Sequence, residues 1–257
     1  MLDIKQIELL YPENLRPFKK NILREYLQYK ILDAVFSSKF AEDLCFMGGT
    51  AIHIVHSNNR FSEDLDFDNL RLKKSSFTEL SGAIKRKLNL EGYNIEVTNS
   101  FRGAFRAYIK VLNILYESGI SSHEGEKLLI QLDAEPQRFE YLPEKTIINK
   151  FDVFRRINVV PADVLLSQKI TAIFTRKRTM GRDFYDAIFL FARTPPNMEY
   201  LSAKLAIKDM HELKERLNKK CEDLDFKSLA KDLRQFLFNP SDAEKIKLFP
   251  EYISNFV

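Results

Sequence analysis

The sequence predicts an α+β protein: a mixed, mostly antiparallel sheet with flanking helices, followed by a C-terminal helical bundle. Three observations carry this. Residues 105–116 alternate Phe105, Ala107, Ile109 and Val111 against Arg106, Tyr108 and Lys110, the period of a strand with one buried and one wet face. Similar runs at 95–100 and 127–134 flank it, so strands succeed one another after a helix. From residue 197 onward, leucines recur at three- and four-residue steps, the period of helices. The division expected is a domain over 1–160 and a helical domain over 161–257, with no flexible linker between them.

Composition narrows the class. A chain of 257 residues, 45% hydrophobic and 30% charged, has the balance of a soluble globular protein. No apolar stretch approaches a membrane span, and the N-terminus lacks a secretory pattern. Cys45 and Cys221 stand far apart with no metal spacing, which favours reduced thiols and a cytoplasmic location. The net charge of +4 permits a phosphate-rich substrate without identifying a nucleic-acid binder.

In chain order, residues 14–44 read as one or two helices, with Ile22, Tyr26, Tyr29, Leu32, Val35 and Phe36 on the apolar stripe. Pro17 suits a first helical turn. Leu44-Cys45-Phe46-Met47 is short, apolar and strand-like. Gly48-Gly49-Thr50 follows, and its glycines permit close approaches that a Cβ would block. Thr50 stands where a helix can begin, and free N–H groups there suit a phosphate. Next comes Arg60-x-Ser62-x-Asp64-x-Asp66, with Leu65 and Phe67 interleaved. In a strand, Asp64 and Asp66 share one face with their Cα atoms about 7 Å apart, and Leu65 and Phe67 turn into the core. Two carboxylates so placed repel unless a cation compensates them. An anion cradle beside an acidic pair is the arrangement that a metal-bound nucleoside triphosphate requires.

Residues 75–91 fit a helix capped by Ser75 or Ser76, with Leu80, Ile84 and Leu88 inward. The 127–134 run delivers Asp133 at a strand end. Residues 139–160 read as irregular or weakly stranded. A helix over 162–177 buries Leu166, Ile170, Ile173 and Phe174, and places Lys169 and Arg176 on another face. A second helix over 183–192 follows Arg182. Helices are expected at 198–207, 209–222, 226–237 and 242–248, with Pro250 interrupting the tail. Their lysines and arginines are interleaved with acids, which favours a solvated surface over an RNA-binding one. His53 and His56 have no partners at a zinc spacing and are read as helix-surface or supporting groups.

The motif G-G-T-A…R-F-S-E-D-L-D-F resembles that of the AbiEii/AbiGii toxin family of nucleotidyltransferases, which includes the MenT toxins. That family lies within the DNA-polymerase-beta-like nucleotidyltransferase superfamily. The likeness is specific over 46–68, looser over 128–135 and 161–190, and weak in the last third. This chain has Gly49-Thr50 where the superfamily has Gly-Ser, which keeps the hydroxyl. The resemblance implies a nucleotidyltransferase fold. It also implies that Asp64, Asp66 and Asp133 hold two Mg²⁺ (or Mn²⁺) ions. Gly48, Gly49 and Thr50, with Arg60 and Ser62, are expected to bind the nucleotide. Lys169 would hold the triphosphate, and Arg182 with Asp183 or Asp186 would complete the pocket. Spacing does not choose between those two acids.

The expected activity is transfer of a nucleoside monophosphate from an NTP to an RNA hydroxyl, such as a tRNA end, or to a protein hydroxyl. A cognate antitoxin is implied as partner, and no membrane. The competing expectation is a catalytically silent nucleotide- or RNA-binding module. A metal phosphohydrolase ranks last, because its usual His-Asp clusters are missing from the sequence.

Overall fold

In the computed structural model, residues 2–255 are described. They divide into two compact units. The first takes residues 1–55, 61–138 and 143–160, and the second takes 56–60, 139–142 and 161–257.

The first unit begins with α1 (Ile4–Leu9), whose N-cap Asp3 and Gln6 form a reciprocal capping box. The long α2 (Lys19–Phe36) follows, and Pro17 lies ahead of it rather than within its first turn. Then come β1 (Leu44–Met47), α3 (Gly48–His56) and β2 (Leu65–Asn69). Next is α4 (Lys74–Leu90), which begins after Lys73 and has no side-chain cap, so the expected serine cap is not used. The strands β3 (Ile95–Ser100) and β4 (Phe105–Val111) follow. The run expected to continue to 116 stops at Val111, where Asn113 takes φ 58° and turns the chain into the short α5 (Ile114–Glu117). The unit closes with β5 (Leu128–Glu135), β6 (Glu144–Lys150) and β7 (Val153–Val159). The last two form a regular antiparallel hairpin across a stretch that reads as irregular or weakly stranded in sequence.

All seven strands join one sheet in the order β3-β4-β5-β2-β1-β7-β6. The β1–β7 and β2–β5 pairs are parallel and the rest antiparallel, so the sheet is mixed. Alternation sets the buried side: Leu65, Phe67, Leu132, Ala134, Ala107 and Ile109 are all buried. Phe46 packs its ring against Phe67, and Phe67 against Phe36 of α2. Helix α2 lies against β7 and α4, covering the apolar side of the sheet.

The second unit holds α6 (Ala162–Thr175), α7 (Gly181–Phe191), α8 (Met198–Leu205), α9 (Met210–Glu222) and α10 (Phe226–Leu233). It continues through 3₁₀ turns at Arg234–Phe236 and Pro240–Leu248 to α11 (Phe249–Asn255). Asn197, Asp209 and Asp225 cap three of these helices with their side chains. Pro250 sits in the first turn of α11 instead of breaking the tail, because a first-turn residue needs no N–H donor. Gly181 lets α7 approach α10: a Cβ there would stand 3.0 Å from the Leu229 carbonyl carbon. Among the described residues no helix is long and apolar enough to cross a membrane.

Candidate active site

The glycine turn and the acidic strand meet in the first unit. Gly48 has φ +77°, and a Cβ added there would stand 2.9 Å from both Cβ and Cγ of Asp66. No real side chain fits, so glycine is required twice over, by conformation and by space. Asp66 therefore lies against the first residue of α3, where unpaired N–H groups and the positive helix end favour an anion. The Thr50 hydroxyl donates to the Asp64 backbone carbonyl, tying α3 to the start of β2. Thr50 is fully buried, so its hydroxyl serves this tie and is not presented to solvent. Gln28 of α2 donates to the carbonyls of Ser62 and Glu63, each at 3.0 Å, and fixes the same approach from the other side.

Strand register places the third carboxylate. Met47, Asp66, Asp133 and Arg106 are successive Cα partners across β1, β2, β5 and β4. Partners on neighbouring strands share a face about 4.8 Å apart, so Asp66 and Asp133 are neighbours. The sequence order thus brings them to one row. Asp133 is nonetheless engaged elsewhere: Arg106 Nε donates to Oδ1 and Nη2 to Oδ2, both at 2.8 Å. Gln131 Nε2 adds a third bond to Oδ2 at 3.1 Å. The hydrogen bonds to Asp133 hold the Arg106 guanidinium even more firmly protonated than usual. Among the described residues no three His, Cys, Asp or Glu side chains come together as a cluster able to hold a metal ion. Asp133, the third of the expected ligands, is thus paired with a guanidinium. Asp64 and Asp66 carry hard oxygen donors of the kind Mg²⁺ and Mn²⁺ take.

Behind α3, Glu25 is buried and receives His53 Nε2 at 3.0 Å and Lys150 Nζ at 2.6 Å. Burial alone would raise the Glu25 pKa. The charges and hydrogen bonds of His53 and Lys150 outweigh it and bring it down to about 2. His53 thus supports the helix.

The second unit carries the other expected residues. Asp186 is fully buried. Arg60 Nε and Nη2 donate to its two oxygens at 2.6 Å each, and Asn58 Nδ2 to Oδ1 at 2.8 Å. Lys169 Nζ lies 2.9 Å from Asp186 Oδ2 and 3.3 Å from Asp183 Oδ1. Burial works against the Asp186 charge, but Arg60 and Lys169 more than offset it and lower its pKa. Arg60 itself is 1% exposed, so its guanidinium clasps Asp186 and is not offered to a nucleotide. Asp183 differs. Its Oδ2 is buried and lies 3.0 Å from Arg176 Nε but outside hydrogen-bond geometry, and the Arg176 side chain is 42% exposed. Arg182 lies over the Phe236 ring, 5.9 Å from its centroid. Lys169 and the two acids are thus one charge cluster, with Asp186 as its structural member and Asp183 as its under-satisfied one.

Sequence reasoning missed Arg106, Gln131 and Asn58, and gave Arg176 no role beyond sharing a helix face with Lys169. Arg106 had a signal, since it stands on the wet side of an alternating strand. Its partner required the register, which the sequence does not print.

A family model described as "Nucleotidyl transferase AbiEii toxin, Type IV TA system" matches residues 30–253. Among solved structures, the chain is similar to MenT4, a nucleotidyltransferase toxin of Mycobacterium tuberculosis. The TM-score is 0.61 at 13% identity, over 100% of this chain and 91% of that one. It is also similar to JHP933 from Helicobacter pylori, with a TM-score of 0.55 at 19% identity and 91% of each chain covered. At these identities the likeness is one of fold. No curated protein sequence matches the chain.

Proposed function

The chain belongs to the AbiEii nucleotidyl transferase toxin family, and from that premise we propose that it transfers a nucleoside monophosphate from an NTP to a hydroxyl of an RNA, such as a tRNA end, or of a protein. The observation that carries this reading is the close packing of Gly48 against Asp66. It joins the phosphate-type turn to the acidic strand in one place, as a triphosphate with its cation demands.

Asp64 and Asp66 would hold Mg²⁺ or Mn²⁺, which when bound draws charge from the triphosphate and lowers the cost of the leaving pyrophosphate. Gly48 and Gly49 offer backbone N–H groups to phosphate oxygens at the start of α3. Thr50 and Gln28 hold that turn and the approach to β2 in register. Lys169 is the compact positive charge suited to a phosphate, and Asp183 shares it. Asp186 and Arg60 fix the position of Lys169. The resemblance adds Ser62 and Arg182 as nucleotide contacts. A cognate antitoxin is the expected protein partner.

The test is incubation of the purified chain with each α-labelled triphosphate, Mg²⁺, total RNA and a protein extract, read on gels. Label on an acceptor that disappears in Asp64→Ala supports transfer. A second reading, a silent nucleotide-binding module, draws on the engagement of Asp133 by Arg106. Tight triphosphate binding with no labelled acceptor would favour it.

A further inference from the structure

β6 is the last strand of its sheet, and among the described residues no strand pairs with its outer edge. Its ladder with β7 runs unbroken from Glu144 to Lys150, without a bulge or an internal proline. Such an edge presents a row of open N–H and C=O groups that can template another strand. The exposed face of the hairpin is apolar at its centre, with Ile147 50% and Phe154 69% exposed. Asn149 is the cross-strand partner of Phe154, so Ile147 and Phe154 are diagonal neighbours on one face.

The strand also complements itself. When two copies of a strand run antiparallel about a two-fold axis, one residue faces its own copy and the others pair reciprocally. With Ile147 on the axis, all of β6 finds partners: Thr146 faces Ile148, Lys145 faces Asn149 and Glu144 faces Lys150, each pair formed twice. Opposite charges then close both ends. An axis one residue away shortens the pairing and separates those charges, and an axis on Lys145 sets two lysines face to face. Lys150 already holds buried Glu25 at 2.6 Å, but its side chain is 29% exposed and an ammonium has three donors to share.

We propose that β6 is a dimer edge: two copies of this chain join antiparallel along it, with Ile147 of one on Ile147 of the other. The two seven-stranded sheets then become one. Ile147 and Phe154 from both copies supply the apolar surface that the contact covers.

The experiment is sedimentation equilibrium of the full chain over a concentration series. The wild-type chain is expected to dimerise with a dissociation constant of about 1–100 µM, as suits a contact smaller than a standard interface. Ile147→Lys and Ile147→Glu each set like charges on the axis, and each alone is expected to be monomeric. Mixed in equal amounts, they set lysine against glutamate and restore the dimer. That recovery separates a contact on the axis from a loss of fold, since unfolded variants would not rejoin. A wild-type chain that is still monomeric at about 300 µM overturns the proposal and leaves the edge to a strand of another protein. A dimer that survives in either single variant overturns it too, because another surface then joins the copies. So does a mixture that stays monomeric, because Ile147 then does not face its own copy.

Discussion

Asp66 rests on Gly48, with its Cβ and Cγ each 2.9 Å from where a Cβ on residue 48 would stand. That packing makes the glycine a part of the acidic site and not a mere turn residue. The expected result of Gly48→Ala is a double loss. The left-handed φ of +77° costs about 1–2 kcal/mol for a residue with a Cβ. The Asp66 side chain must also move, so label transfer should fall by roughly 100-fold. A thermal melt beside the transfer assay checks both. Transfer at the wild-type rate would show that the contact does not shape the site.

Asp186 and Asp183 should separate in mutagenesis. Asp186→Ala removes the carboxylate forked onto buried Arg60, and such losses cost about 3–5 kcal/mol. Urea unfolding is expected to show a markedly lower midpoint. Asp183→Asn should reduce transfer strongly while shifting the midpoint much less, since Lys169 keeps Asp186 as partner. Equal destabilisation by both would mean that the cluster is structural throughout.

Acid stability should report on Glu25. Its folded pKa of about 2 lies below the ordinary 4.5, because His53 and Lys150 outweigh the burial that acts in the opposite direction. A depressed carboxylate contributes stability that is complete above about 4.5 and is lost as the pH falls through about 2. The melting temperature of wild type should therefore exceed that of Glu25→Gln near neutral pH, with the gap closing across that window. A gap independent of pH would point to packing alone.

Thr50→Val should loosen the tie between α3 and β2. Valine matches the shape and removes the donor to the Asp64 carbonyl, a loss of about 1 kcal/mol. The triphosphate KM is expected to rise more than kcat falls, since the turn is misplaced while Lys169 is untouched. Steady-state transfer kinetics decide this, and an unchanged KM would count against it.

Legibility in the sequence followed the range of the interaction. Leu65 and Phe67 were readable as core because alternation is local, and both are fully buried. The hairpin of β6 and β7 was less so, since Ile148 is the one buried residue of an edge strand whose Ile147 is half exposed. The resemblance implied a carboxylate on a strand beside Asp66, and the register pairs Asp66 with Asp133. Arg106 beside Asp133 and Asp186 beside Arg60 depend on alignment across 27 and 126 positions, beyond any periodicity. That is why Arg60, which reads as a nucleotide contact within its motif, turns out to be enclosed.

The composition of the second unit bears on how this chain can be cut. It borrows residues 56–60 and 139–142 from the N-terminal portion, and one of them is the arginine that neutralises Asp186. A fragment ending at Val160 would keep that cation and abandon its anion, while the complementary fragment would inherit the reverse. Dissection at the obvious linear boundary thus takes from Arg60 its forked carboxylate and leaves Asp186 to Lys169. Reconstitution from two co-expressed pieces would need them to rejoin before either could bury its share.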